Sequence, residues 1–261
     1  MMRIVARHGL RFIVCLALSG RVASAGAVVT PIFDPAEFTI PVQNPWFPLV
    51  PGTTYFYESH TADGLVRTEV TVTAEQKLID GIWATVVHDV VWLDVEGGPT
   101  VLIEDTQDWY AADNTGNVWY LGELTTEHLY DENWTPTGTS TEGSWEAGVD
   151  GAEPGFIMPA GLHPGLAYRQ EHAAGVAEDL AKVERLNAKL SVPYGTFSNA
   201  LVTKEWTALA PGDVERKYYV AGIGLVLTEE FHGPGTTREE LVAITEPAVP
   251  TSRSASRGPA R

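Results

Sequence analysis

The chain has 261 residues, with 34 Asp and Glu against 17 Lys and Arg and a single cysteine. Between Ala25 and Thr251 only 10 basic residues stand against all 34 acidic ones, a net of −24. Such a body repels phosphate backbones and anionic membrane surfaces, which excludes nucleic acid as a partner and leaves solubility, cation binding or a cationic partner.

The chain opens with arginines at 3, 7 and 11, a short apolar run from Phe12 to Leu18, and small residues at Ala23-Ser24-Ala25. This three-part pattern predicts a secretory signal over residues 1–25, cut near Ala25, and the run is too short to span a bilayer. Cys15 lies inside that signal. The exported body then has neither disulfide nor thiol and must be held by its own core. No membrane span is expected.

From residue 26 to 245 most of the chain reads as strands. "RTEVTVTAEQKLI" alternates, and "IWATVVHDVVWLDV", "NVWYLGE", "NALVTKEW", "VERKYYV" and "IGLVLTEEF" are rich in β-branched and aromatic residues. Turn signals recur at short intervals, as at Asp80-Gly81, Gly97-Gly98, Asn114-Thr115-Gly116 and Pro211-Gly212-Asp213. The pattern predicts an all-β fold, an antiparallel sandwich or (half-)barrel joined largely by hairpins. Residues 133–165 are rich in Gly, Pro, Ser and Thr and read as a long irregular loop. Its Trp145, Phe156, Ile157 and Met158 predict that it packs back over the sheet. "AEDLAKVERLNAKLSV", Ala177 to Val192, suits a helix with Leu180, Val183 and Leu190 near one stripe, while its second half also alternates as a strand does. Residues 246–261 read as a disordered basic tail.

An internal repeat arbitrates that segment. "LVPGTTYFYE" at Leu49 and "LHPGLAYRQE" at Leu162 share five of ten residues at an offset of 113. At the same offset Val72 and Ala74, in a clear strand, fall on the second half of the ambiguous segment, and Gly81 meets Gly195. The chain therefore reads as one domain of two similar meander halves, about 45–125 and 158–231, sharing one core.

Strong chemical motifs are missing. There is no phosphate-cradling loop, HExxH, cysteine cluster or GxSxG elbow, and no histidine pair has zinc-site spacing. Carboxylates are the more suggestive group. Glu104, Asp105, Asp108, Asp113 and Glu123 gather around one predicted hairpin, where Glu104 and Asp108 point one way and Asp105 the other. Acids brought together in this way do general acid/base work or hold a hard cation, for which calcium is the candidate cofactor. The catalytic candidates are Asp108, Asp113, Glu146, Asp150, Glu171 and Glu205. Aromatic residues with a polar handle suit a ligand pocket. The binding candidates are Trp109, Trp119, Trp145, Tyr168 and Tyr219.

"DWYAADNTGNVWYLGE", "EGSWEAGVDGAEPG", "YRQE" with "AED", "TKEW" and "ERKYY" resemble a group of secreted bacterial proteins with no assigned reaction. The resemblance runs from about Asn44 to Glu230 and implies an exported, Trp- and acid-rich β protein. "YYVAGIGLVLTEE" is also similar to the closing hairpin of envelope proteins whose half-barrel sheets bind lipid or apolar ligands.

Three readings follow. The first is an exported binding protein that holds a small or apolar ligand between the sheet and the 133–165 loop, in a mostly apolar cavity. The second is a carboxylate-dependent hydrolase or lyase with or without a bound cation, which requires two or three of the acids to meet in a cleft. The third is a structural or interaction protein of the envelope, with its sheet packed solid. The sequence leaves oligomeric state open.

Overall fold

The structure is a computed structural model and describes residues 27–232 and 235–247. The expected signal over 1–25 and the tail from 248 onward lie outside the described residues. Among the described residues sixteen strands form one sheet. The first meander consists of β2 (Thr54–His60), β3 (Gly64–Ile79), β4 (Ile82–Val95), β5 (Thr100–Ala112) and β6 (Val118–Tyr130). The second consists of β12 (Asp179–Val192), β13 (Gly195–Thr207), β14 (Val214–Val220), β15 (Gly224–His232) and β16 (Gly235–Thr245). Antiparallel pairing of β16 with β2 joins the two. Short pieces complete the sheet: β1 (Val28–Val29), β7 (Pro136–Ser140), β8 (Trp145–Glu146), β9 (Glu153–Met158), β10 (Ala167–Arg169) and β11 (Glu171–His172).

The sheet curls almost into a barrel rather than splitting into a two-layer sandwich. Its strand order runs β1-β10-β12-β13-β14-β15-β16-β2-β3-β4-β5-β6-β9-β11. β10 and β11 lie at opposite ends of this path, yet only Gln170 separates them in sequence. The stretch 167–172 therefore ties one end of the sheet to the other. Gly155 of β9 makes the tie fit, because a Cβ there would sit 2.4 Å from the Arg169 carbonyl oxygen and 2.5 Å from that of Gln170.

The repeated stretches open corresponding parts of the sheet, with Tyr55 in β2 and Tyr168 in β10 both buried. β12 is a strand throughout. The β3–β4 register slips between Val72 and Gln76, and the β12–β13 register slips between Arg185 and Ala188, near the same place once the offset of 113 is applied. Asn187, at φ 61°, absorbs the second irregularity. Of the expected turns, Asp80-Gly81 closes β3 onto β4 with both residues at positive φ, 44° and 84°, as a tight hairpin turn requires.

Residues 133–165 do not form a lid. They fold into β7, β8 and β9, all of which pair with β6. Gly122 permits this. Its φ is 134°, and a Cβ there would sit 2.3 Å from the Trp145 carbonyl oxygen. The chain before β2 supplies covering that the sequence did not announce. Phe33 and Phe38 pack on Trp119 at 5.4 and 5.9 Å between ring centroids, and Asn44 donates to the Gly116 carbonyl at 2.8 Å.

Candidate functional site

Inside the curl lies a cavity of about 220 Å³. Alternation along the strands decides what faces it. β5 presents Glu104, Thr106, Asp108 and Tyr110, and its neighbour β6 presents Tyr120 and Glu123. β14 presents Glu215, Lys217 and Tyr219. Asp89 comes from β4, Asp179 from β12 and Glu205 from β13. Glu171 of β11 stands beside Gln170 on the wall, and Glu230 and Glu239 come from β15 and β16. Tyr55 and Tyr57 of β2 and Phe47 join Tyr110, Tyr120 and Tyr219 as the aromatic part of the lining. The wall therefore carries ten carboxyl groups and a single amine.

One small network centres on Tyr120. Its hydroxyl lies 2.6 Å from Asp108 Oδ1 and 3.0 Å from Glu123 Oε2. These two acids are directly opposite each other on β5 and β6. A hydroxyl has one proton to donate, so the trio closes when one carboxyl keeps its own proton and donates to the tyrosine oxygen. Burial pushes Asp108 up to about 6, against the pull of Tyr120 and Lys217. Burial pushes Glu123 well above the usual carboxylate range, and the neighbouring Asp108 adds to it.

A second network centres on Lys217. Its Nζ lies 2.9 Å from Glu205 Oε2 and 3.5 Å from Glu215 Oε2, and the Thr203 hydroxyl donates to the other Glu205 oxygen at 2.8 Å. Burial works against the ammonium, but the two glutamates outweigh it and hold Lys217 well above the usual lysine range. Asp179 is pushed up to about 7, first by burial and then by Glu215.

Glu171 belongs to neither network. Its side chain is almost wholly buried, at 1% exposure, and neither carboxyl oxygen has a hydrogen-bond partner in the protein. The Trp145 indole N–H faces it without forming a bond of good geometry, and itself has no partner. Burial raises Glu171 well above the carboxylate range, and Asp179 and Glu123 add to it. Asp89 is raised in the same way, chiefly by burial, and its Oδ1 is also without a partner. Among the described residues no three His, Cys, Asp or Glu side chains converge closely enough to hold a metal ion. A larger, open hollow of about 1280 Å³ lies over the outer face of β12–β14, but its polar lining, such as Lys182 and Lys204, is not deeply buried.

No family model and no curated protein matches the chain. Among solved structures it is similar to a Bacteroides fragilis chain named as an exported protein with a YmcC-like fold, at 14% identity and a TM-score of 0.43, over 77% of this chain and 99% of that one. A chain from Parabacteroides distasonis named as a lipoprotein is 11% identical with a TM-score of 0.41, over 78% and 100%. A β-barrel-like protein of a domain of unknown function from Brucella abortus is 13% identical with a TM-score of 0.38, over 75% and 97%.

The structure brings Asp108, Glu171 and Glu205 to the cavity and leaves the other three catalytic candidates away from it. Asp113 is a turn residue whose carboxylate accepts from Trp119 Nε1 at 2.9 Å and from Asn117 Nδ2 at 2.7 Å; burial opposes its charge, but such donors outweigh it and keep its pKa low. Glu146 is paired with Lys77 at 2.7 Å, partly exposed. Asp150 sits in an exposed turn at φ 50°.

Of the five aromatic candidates only Tyr219 lines the cavity. Trp109 is buried under the Lys77 ammonium, 3.1 Å from its ring centroid. Trp119 packs among Phe33, Phe38 and Phe156, and Trp145 meets Tyr120 edge-on at 5.4 Å. Tyr168 is wholly buried but is not on the wall.

The cavity differs from the expected one in place and character. Only Ile157 of the 133–165 segment reaches its wall, because that segment extends the sheet at β6 instead of covering it. Its polar lining is acidic rather than sparse. Strand parity carried a signal for the residues outside the candidate sets. Glu215, Lys217 and Tyr219 alternate on one face, as do Glu104, Asp108 and Tyr110, and an acid in step with an inward tyrosine faces inward too.

Proposed function

We propose that this is an exported binding protein whose curled sheet encloses a small molecule. The observation that carries the reading is Glu171, a fully buried carboxyl with no partner in the protein, set in the wall of a cavity. An unsatisfied buried acceptor costs stability, and a partner brought by an occupant removes that cost. The cavity exceeds the roughly 150 Å³ apolar cavity that takes benzene, so an occupant has on the order of six to a dozen non-hydrogen atoms. Export is supported by the signal-like residues 1–25. No helix among the described residues is long and apolar enough to cross a membrane.

The test is a thermal-shift screen of the protein and of Leu225→Trp, which enlarges a residue of the cavity wall. Ligands that raise the melting temperature of the native protein and lose that effect in the variant support the reading. A library of cationic, neutral and anionic small molecules that moves neither protein sinks it.

A carboxylate-dependent hydrolase or lyase is the second reading, favoured by Asp108 and Glu123 sharing the Tyr120 hydroxyl in the cavity wall. It requires turnover that Asp108→Asn abolishes while binding persists. Binding without turnover on a panel of glycosides and related esters leaves the first reading alone.

A further inference from the structure

Deepening that reading, and resting on it, we propose that the occupant is a small organic polyamine bound in its ammonium form.

Three features of the wall bear on the class of ligand. The first is sign. Ten carboxyl groups and one lysine face a cavity of about 220 Å³, and Lys217 is already engaged by Glu205 and Glu215. Anionic ligands meet repulsion there, and neutral ones bring no charge to offset the excess of acids. The second is the kind of partner missing. Glu171 Oε1 and Oε2 and Asp89 Oδ1 are acceptors without donors, and an ammonium group brings three donors and a positive charge together.

The third feature is dispersion. The acids belong to β4, β5, β6, β11, β12, β13, β14, β15 and β16, so they ring the cavity instead of meeting at a point. A metal ion needs ligands that converge within coordination distance. A chain with amino groups at both ends can face separate walls at once. The rings of Tyr55, Tyr57 and Phe47 supply apolar surface for its methylenes and faces that attract cations.

Proton release follows from the same crowding. Glu171 faces Asp179 of β12, Glu123 of β6 and Asp108 of β5, with the neutral Trp145 beside it. Asp108 faces Tyr120 and Tyr110 and is drawn toward Lys217 of β14. Asp179 faces Glu215 and Glu205, with Lys217 opposing them. Asp89 faces Glu104, Asp108, Glu239 and Glu123. With the cavity empty, burial keeps several of these acids protonated near neutral pH. A bound ammonium restores the charged form, so each such acid gives its O–H proton to water and the carboxylate accepts from the ligand N–H. No bond other than O–H is broken, and the proton is the only group that leaves.

The test is calorimetric titration with 1,4-diaminobutane and spermidine. Butylamine, butane-1,4-diol, butanoate and calcium chloride are run alongside, each at pH 6 and pH 8 in buffers of differing ionisation enthalpy. The expected result is binding of a di- or polyamine at least tenfold tighter than of butylamine and at least tenfold tighter at pH 8 than at pH 6, with protons released to the buffer. Glu171→Gln weakens it tenfold or more, while Glu75→Gln, an equal charge change at an exposed strand position, leaves it unchanged. Unfolding of Glu171→Gln at pH 8 separates lost binding from lost fold.

Equal affinity in the two variants means general attraction to an acidic surface and overturns the proposal. Calcium that binds and displaces the diamine also overturns it, in favour of an inorganic cation. Binding of the diol or butanoate in place of the amines overturns the ligand class while the enclosed-ligand reading stands. That reading fails separately, if the wider thermal-shift screen is silent for every class.

Discussion

On one face of β3, β4 and β5, two neighbouring stretches are lined in opposite ways. Toward one end, Val66, Val91, Leu93, Val101 and Ile103 form a dry cluster with Tyr130. One or two pairs further along the same strands, Thr68, Asp89, Glu104, Thr106 and Asp108 face the cavity. The β3–β4 register is continuous, with Val66 opposite Leu93, Thr68 opposite Val91 and Val70 opposite Asp89, and on β5 a register shift at the Val91–Trp92 step carries the same face from Val101 and Ile103 to Glu104. The fold thus accepts aliphatic side chains on this face and packs them well. Acids in the adjacent positions are not a demand of the sheet, and their burial opposes stability. They are the mark of a surface kept for something other than packing.

Exchanging features between the two stretches breaks the comparison most severely. Val91→Asp places an unpaired carboxylate in the dry cluster and is expected to cost about 3–5 kcal/mol in urea unfolding at pH 8. Leu93→Ala, at the wholly buried centre of that cluster, leaves a cavity and costs about 2–4 kcal/mol at any pH from 5 to 8.

The acidic stretch responds with the opposite sign. Asp108 rises from 3.8 to about 6 and Asp179 from 3.8 to about 7, so between those limits the folded protein holds protons that the unfolded chain has lost. Through these two groups the unfolding free energy of the unliganded protein falls as pH rises from about 4 to about 7, and Glu123, Glu171 and Asp89, raised by burial in the same direction, add to the fall. Asp108→Asn removes one source of that fall. It is expected to stabilise the protein by about 1–3 kcal/mol at pH 8 and by nothing measurable at pH 4, since one pKa unit is worth about 1.4 kcal/mol. Loss of stability at pH 8 in that variant would show that Asp108 is a structural anchor and not an internal strain.

The smallest effect is on the outside. Glu146→Gln breaks a partly exposed pair with Lys77 and should shift stability by less than about 1 kcal/mol, with less effect in high salt.

The sequence made the strands, many of their turns and the repeat readable, because alternation and glycine turns are local signals. Parity even put Glu104 and Asp108 on one side, which is the cavity side, and Asp105 on the other, where it meets His88 at 2.9 Å. Closure was not local. Nothing near Glu171 announces that β11 ends up near β5, β6 and β12, since 167–172 acquires that role only when both meanders have curled. The tryptophans misled for a different reason. The β5–β6 register slips between the Asp108–Glu123 and Tyr110–Tyr120 pairs, with the extra residue on β6 at the positive-φ Gly122; Tyr120 and Glu123, three apart, both face the cavity, so inward and outward cannot be counted along β6 through it. Trp109 and Trp119 then find cover from Lys77 and from Phe33 and Phe38, partners far away in the chain.

The path of the sheet ends on β1 and β11, strands of two residues each, while strands of thirteen to sixteen residues lie within it. A long bare margin is a template on which a second chain can add, and a two-residue margin is not. For a protein made almost entirely of strands, such short end strands limit edge-to-edge addition at those two places. The weak point is β12, a strand of fourteen residues of which β10 pairs with only Leu180, Ala181 and Lys182.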